Sequence, residues 1–344
     1  MRIAEIFRSL QGEGRLTGTD SIFVRLSGCN LRCGFCDTPY ASWSPEGDDL
    51  SVDEILDRVQ AISHQPSAVS SNGVQGSGFR IQYSSFITHH SSFPRNVVLT
   101  GGEPMLFAEL IPLSTALHNA GWHITIETSG TLYLPVACDL MSISPKLSNS
   151  TPCATAGLSS SAVVSPKCAT AGLSSSAEPP PCALTSTSSS EISDIPPCAT
   201  AGSSSSEMSD IVHCQPPTAH RPLPPASGLN PPSSFIPHPS SLDPRWTHRH
   251  EANRHRPQVV NRLISEYDYQ IKFVIDTPAD CQEAEEYLTS MPQIDRARVM
   301  LMPQGTDPAE LAAKTQWLEP YCAQHSLLFC PRRHVEWFGP GRGK

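Results

Sequence analysis

Aromatic residues make up only 7% of this 344-residue chain and charged residues 17%. With so few large apolar side chains, part of the chain is expected to lie outside any core, while the rest suffices for one large domain or two modest ones. No window approaches the roughly 18 apolar residues of a membrane-crossing helix. The opening MRIAEIFRSLQGEG also lacks the apolar stretch and small-residue cleavage site of a secretory leader. No membrane partner is expected, and a cytoplasmic location follows. A basic excess is missing too: 24 Lys and Arg against 33 Asp and Glu give a formal net charge of -9, which offers no diffuse positive field to nucleic acid.

Cysteine, by contrast, is plentiful, with twelve in the chain. In a reducing compartment the tight trio Cys29, Cys33 and Cys36 reads as a metal or cluster site before it reads as a disulfide framework. Three thiolates hold a four-iron cluster while leaving one iron open to a non-protein ligand, and small Gly34 relieves crowding in the loop. A structural zinc ion wants a fourth thiolate or imidazole, and neither occurs in the twenty residues after Cys36. Zinc completed by a distant ligand such as Cys138, or three unligated thiols, remain alternatives.

DSIFVRLS, residues 20–27, reads as a strand delivering the chain to Gly28 and Cys29. SVDEILDRVQAI reads as a helix, with Ser51 as N-cap and Glu54 at the reciprocal capping position. RNVVLT, WHITIETSG and DLMSISPK read as strands, with the helix LFAELIPLSTALHNAG between the first two. The alternation resumes with strand YQIKFVID, helix DCQEAEEYLTSM, strand ARVMLMPQG, helix DPAELAAKTQWLEPYCAQH and strand SLLFCPR. Strands separated by helices imply a parallel sheet, and such sheets place ligands beyond the C-terminal strand ends. The expected class is α/β, a partial (β/α) barrel with a mostly parallel sheet. Its core is divided between residues 1–147, with a low-complexity loop at 64–93, and residues 257–344.

Between these parts, residues 148–256 repeat CATAGLSSSA at Cys153 and Cys168, with degenerate copies at Cys182 and Cys198. No copy carries a hydrophobic run able to stack, so burial cannot offset the entropy of ordering. The whole segment, its locally basic end RWTHRHEANRHRP included, is expected to be a disordered insert in one crossover.

Several strand ends carry groups suited to a cofactor. Gly101-Gly102-Glu103-Pro104 offers backbone groups and an acceptor for an ammonium, Ser129 suits ribose hydroxyls and a carboxylate, and Lys146 after Ser144 is a charge-assisted donor. Gln304 is an adenine-side candidate, and Phe35 would lie beside an adenine ring. S-adenosylmethionine (SAM) fits this set, because its methionyl amine and carboxylate can chelate an open iron.

These residues resemble the 7-carboxy-7-deazaguanine synthases, radical SAM enzymes of the pathway to queuosine and other 7-deazapurines. The likeness runs through FRSLQGEG, FVRLSGCNLRCGFCDT, TGGEP, ETSGT, SPK, QIKFV, LMPQG and RRHVEWFG. It implies a radical SAM type of barrel, a homodimer, a [4Fe-4S] cluster on the three cysteines, and SAM held by Phe35, Gly101, Gly102, Glu103, Ser129, Ser144, Lys146 and Gln304. It also implies Mg2+ on Thr38, an oxygen ligand suited to a hard cation. A carboxylated pterin would be held by Leu10, Gln11, Gly12, Glu13, Gly14 and Arg25, the last pairing with its carboxylate. The implied reaction takes hydrogen from C6 of 6-carboxy-5,6,7,8-tetrahydropterin and contracts the ring, with loss of ammonia, to 7-carboxy-7-deazaguanine. An electron donor such as flavodoxin or ferredoxin would feed the cluster. The insert after Lys146 and the tail GPGRGK depart from the family pattern. Two other readings stand beside this one: a radical SAM enzyme that activates a glycyl-radical protein, and a non-catalytic zinc-binding interaction module.

Overall fold

In the computed structural model, residues 1–64, 95–152, 244–339 and 341–343 are described. The low-complexity loop from residue 65 and the repeats between residues 153 and 243 fall outside them. The chain opens with β1 (Arg2–Leu10), antiparallel to β2 (Asp20–Leu26). The cysteine loop then leads to α1 (Pro39–Ser42), the short edge strand β3 (Asp48–Asp49) and α2 (Val52–Ser63). Next come β4 (Asn96–Gly101), α3 (Leu110–Asn119), β5 (His123–Thr128), β6 (Leu140–Ile143), α4 (Pro244–Arg254) and α5 (Pro257–Glu266). β7 (Tyr269–Ile275), α6 (Pro278–Ser290), β8 (Val299–Pro303), α7 (Pro308–Gln324), β9 (Leu328–Phe329) and α8 (Arg333–Phe338) complete the order. No helix among the described residues is long and apolar enough to cross a membrane.

The sheet runs β3-β1-β2-β4-β5-β6-β7-β8-β9, and every pair from β2 to β9 is parallel. Because this order never reverses, the crossovers share one hand and the helices stack on one face. Side chains alternate along a strand, so Val24, Leu99, Ile126, Met141, Phe273 and Leu301 enter a core with Val59, Leu113, Leu263, Leu288 and Leu318 of the helices. The alternate positions carry Arg25, Thr100, Glu127, Ser142, Gln270 and Lys272, a polar inner face. That face is concave. The Gly14 amide, in the loop after β1, reaches Cys330 Sγ just past β9 at 3.2 Å, whereas seven strand spacings of a flat sheet would separate β1 from β9 by roughly 33 Å. The sheet therefore curls into the partial barrel expected from the alternation.

The capping box at α2 forms as read: Ser51 Oγ accepts from the Glu54 amide at 3.2 Å, and Glu54 accepts from the Ser51 amide at 2.8 Å. β1 was not expected, since its register shifts between Ile3 and Glu5 and breaks the two-residue period that marks a strand. The expectation of disorder over 148–256 is corrected at both ends, where Ser148–Ser150 forms a 3-10 turn with Ser150 buried and Pro244–Arg254 is helical. Composition hid this helix because its order comes from tertiary contacts rather than propensity: His250 is only 1% exposed. The Thr247 hydroxyl donates to the Pro152 carbonyl at 3.4 Å, so the chain leaves and re-enters the core at neighbouring points. Replacing residues 153–243 by a short Gly-Ser linker is therefore expected to leave cooperative urea unfolding intact, because loop closure depends only weakly on length. Extending the deletion through residue 255 should lower the midpoint clearly; equal midpoints for the two deletions would contradict the assignment of α4 to the core.

Candidate active site at the strand ends

β2 and β4 lie in parallel register at Leu26 and Gly101, so the loops that leave them run side by side. The Gly102 amide donates to Leu26 O at 3.1 Å and the Glu103 amide to Gly28 O at 2.8 Å. A Cβ on Gly102 would sit 2.2 Å from Gly28 O and 2.5 Å from Ala41 O, so only glycine allows this approach. Cys33 is buried and Cys29 and Cys36 are partly buried, all as free thiols. Cys29 Sγ accepts the Leu31 amide at 3.4 Å, and Cys36 Sγ lies 3.0 Å from the Ser42 hydroxyl. Burial pushes the Cys29 thiol up to about 12, helped by Glu103, and burial does the same to Cys33, also to about 12. Such thiols become ligands only when a metal centre displaces their protons.

The donor set fits a cluster better than a single ion. Three thiolates in one loop leave one iron of a cubane open, whereas a structural zinc ion needs a fourth ligand. Cys138, the candidate fourth zinc ligand, instead donates to Ile124 O at 3.7 Å, beside the start of β5 and thus at the opposite end of the strands from Cys29. The zinc alternative is corrected accordingly. Thr38 precedes α1, makes no side-chain cap, and lies 3.9 Å from Cys36 Sγ. Phe35 is half-buried between the second and third cysteines.

The cysteine loop is gripped from its other side by α4. The Arg32 amide donates to His250 Nδ1 at 3.1 Å, and His250 Nε2 lies 3.0 Å from Ser150 Oγ, whose backbone oxygen accepts the Gly34 amide at 2.9 Å. Ser150 Oγ already donates to Leu147 O at 2.6 Å, so His250 must carry its proton on Nε2. Burial pushes His250 down to about 4 and keeps it neutral. Arg32 lies 4.4 Å over the Trp246 ring and donates to Cys29 O at 2.8 Å. Lys146 donates to Ser144 Oγ at 2.7 Å, while its own carbonyl accepts from Arg254 of α4 at 3.2 Å.

Glu103 is fully buried. Its carboxylate accepts from the Met105 amide at 3.1 Å, Thr128 Oγ1 at 2.7 Å, the Ser129 amide at 2.8 Å and the Ser129 hydroxyl. Two residues expected separately around the cofactor are thus brought into direct contact. Gln304 sits at the end of β8, where Lys314 donates to its side-chain oxygen at 3.2 Å and pairs with Asp276 at 2.6 Å.

The inner face of the barrel holds a buried charge network that sequence reasoning largely missed. Glu13 meets Lys272 at 3.0 Å, Arg332 at 3.4 Å and His334 at 3.8 Å. Lys272 also stands 3.7 Å from Glu127, which accepts from Gln11 Nε2 at 3.2 Å and Thr100 Oγ1 at 2.9 Å. Arg332 in turn pairs with Asp37 and donates to Gly305 O at 2.6 Å. Burial opposes the charge on Glu13, but Lys272, Arg332 and His334 outweigh it and hold the carboxyl well below its usual range. Burial likewise opposes the charge on Lys272, yet Glu13 and Glu127 hold it above the usual lysine value. Gly12 packs against His334, with the Arg333 amide donating to Gly12 O at 3.0 Å, and the Gly14 amide donates to Cys330 Sγ at 3.2 Å. The segment from Leu10 to Gly14 is therefore interlocked with residues 330–334. Arg25 stands apart from Glu13, its Nε bound to Glu5, the residue opposite it in the ladder, at 2.6 Å. The signal for Lys272 was a single charge within the strand YQIKFVI, in phase with Gln270.

A curled parallel sheet with three cysteines after one strand and a Gly-Gly-Glu-Pro loop beside them defines a class, the radical SAM enzymes. No family model matches the chain. The 7-carboxy-7-deazaguanine synthase of Rhodopirellula baltica is 30% identical over 342 residues, 99% of this chain and 88% of the relative. That of Halobacterium salinarum is 30% identical over 338 residues, 97% and 88% of the two chains. The chain belongs to the 7-carboxy-7-deazaguanine synthase family. A crystal structure of QueE from Escherichia coli aligns with a TM-score of 0.49 at 17% identity, covering 97% of this chain and 94% of that one.

Two outcomes are expected from this geometry. Lys272→Met should destabilise the fold by about 3 kcal/mol in urea unfolding, because it strands buried carboxylates without their shared cation; a change under about 1 kcal/mol would contradict the network. His250 is buried neutral with its pKa pushed from 6.5 to about 4, so the unfolded chain binds the extra proton first as pH falls. Its contribution is complete above about pH 6.5 and is lost progressively towards pH 4. The unfolding midpoint of His250→Gln should fall less steeply across that window than that of the natural chain, and parallel profiles would exclude this role.

Proposed function

We propose that the chain converts 6-carboxy-5,6,7,8-tetrahydropterin to 7-carboxy-7-deazaguanine with release of ammonia. One feature carries this reading: buried Lys272 and Arg332 with partly buried Glu13 and Glu127 form one set on the inner face of the sheet whose strand ends bear the cysteine loop. When bound, the cluster and SAM supply a radical that takes a hydrogen atom from the substrate. Cys29, Cys33 and Cys36 would hold the cluster, and Phe35, Gly101, Gly102, Glu103, Ser129, Ser144, Lys146 and Gln304 would bind SAM. Thr38 gives Mg2+ an oxygen.

The side chains of this site do the binding and orienting. Glu13, kept ionised by its cations, accepts hydrogen bonds from the amidine-like edge of the pterin, and Gln11 and Gly12 flank it. Lys272 and Arg332 hold the Glu13 carboxylate in one orientation. Arg25 faces the substrate carboxylate with the guanidinium nitrogens that Glu5 leaves available. Charges already fixed in place bind a polar heterocycle more strongly than the same groups free to reorient in water. A protein that activates a glycyl-radical partner would need an open groove instead, whereas the Gly12 segment here is locked against Arg333 and His334. An electron carrier and a second copy of the chain are the expected partners.

Anaerobic reconstitution, followed by incubation with SAM, dithionite, Mg2+ and the pterin, tests the reading. The mass of 7-carboxy-7-deazaguanine should appear, and replacing any of Cys29, Cys33 or Cys36 by Ala should abolish it. Formation of 5'-deoxyadenosine without that product would keep the class and reject the substrate.

A further inference from the structure

An electron must reach the cysteine loop from outside, and α4 is packed directly against that loop. In a chain of net charge -9, residues 245–256 carry four arginines and a single glutamate. That glutamate, Glu251, is taken up by Arg254 at 2.7 Å and the Thr151 hydroxyl at 2.5 Å, and Glu283 of α6 also approaches Arg254, at 3.7 Å. His248 and Arg249 are exposed on the helix, and Arg256 just beyond it donates to the neutral side chain of Asn253 at 2.8 Å and forms no ion pair among the described residues. Arg249 and Arg32 share the face of Trp246, 5.6 and 4.4 Å from the ring centre. The two cations are close enough that Arg249, after burial, helps to depress the Arg32 pKa. Arg32 touches Cys29 O, so unbroken contact runs from the basic helix surface through Trp246 and Arg32 to the first cysteine.

We propose that the exposed face of α4, with His248 and Arg249 around Trp246 and Arg256 just beyond its end, docks an acidic protein that carries single electrons and reduces the cluster. The sign of the charge carries the choice of partner. An acidic carrier is repelled by the chain as a whole and attracted where arginines gather, and this patch lies beside the loop that must receive the electron. In the step itself one electron leaves the carrier, which is oxidised by one equivalent, and enters the cluster, which is reduced by one. The proposal rests on the reading of the three cysteines as a cluster site.

The test uses reconstituted full-length chain and reduced flavodoxin as probe. Cluster reduction is followed by the loss of its visible absorbance, and binding by the anisotropy of labelled flavodoxin. The rate with flavodoxin should fall as salt is raised, whereas the rate with dithionite should not. Arg249→Glu with Arg256→Glu should raise the flavodoxin concentration for half-maximal rate and the dissociation constant about tenfold, while dithionite reduction is unchanged. The paired Lys substitutions should behave as the natural chain. Arg58→Glu, on α2, changes net charge away from the patch and should have little effect. Unchanged flavodoxin kinetics in the Glu pair, an equal loss in the Lys pair or in Arg58→Glu, or tighter capture of an RNA than of flavodoxin would overturn the proposal. Should the pterin give no product with dithionite, the proposed reaction fails, while absorbance and anisotropy still decide the docking.

Discussion

The ion pair between Glu13 and Lys272 is the contact on which the site's geometry depends. It joins residues 259 positions apart, one in the loop after β1 and the other on β7, across the hollow of the curled sheet. Taking two charges out of water is costly, and the arrangement persists because each has more than one partner: Glu13 has Arg332 as well, and Lys272 has Glu127. The network therefore fixes the first loop, two inner strands and the C-terminal segment together. Any ligand on the inner face meets charges whose positions are already set, and that preorganisation is what a site selective for a polar heterocycle requires.

A second constraint governs the cysteine loop. Glycines at its start and in the neighbouring Gly-Gly-Glu-Pro loop let two backbones touch, while buried Glu103 draws Thr128 and Ser129 of the next strand end to the same point. From outside, His250 closes the loop with one accepted and one donated hydrogen bond. A long low-complexity segment enters the chain between these supports without separating them, because its flanks meet at Pro152 and Thr247. The family fold can thus carry about a hundred additional residues at this point for a modest entropic cost.

The local features were legible because they depend on neighbours in sequence. The period of the strands and helices from β4 onward, the capping box at Ser51 and the spacing of Cys29, Cys33 and Cys36 are short-range patterns, and each fixes its own backbone or donor set. The same reading failed at β1, where a bulge breaks the period, and at α4, whose polar composition carries no apolar stripe.

The residues of the chain by themselves determined that helices and strands alternate, that three thiolates share one loop, and that this loop follows a strand; the resemblance of its motifs added the family and the reaction. Tertiary structure alone decided that Glu13, Glu127, Lys272, Arg332 and Asp37 form one network, that Arg25 binds Glu5, that Cys138 lies at the far end of the sheet, and that a basic helix seals the cysteine loop. The reason is physical. Covalent spacing controls what lies within a turn or two of backbone, whereas the partner of a buried charge is chosen by how the sheet curls, and that curvature is a sum over all nine strands.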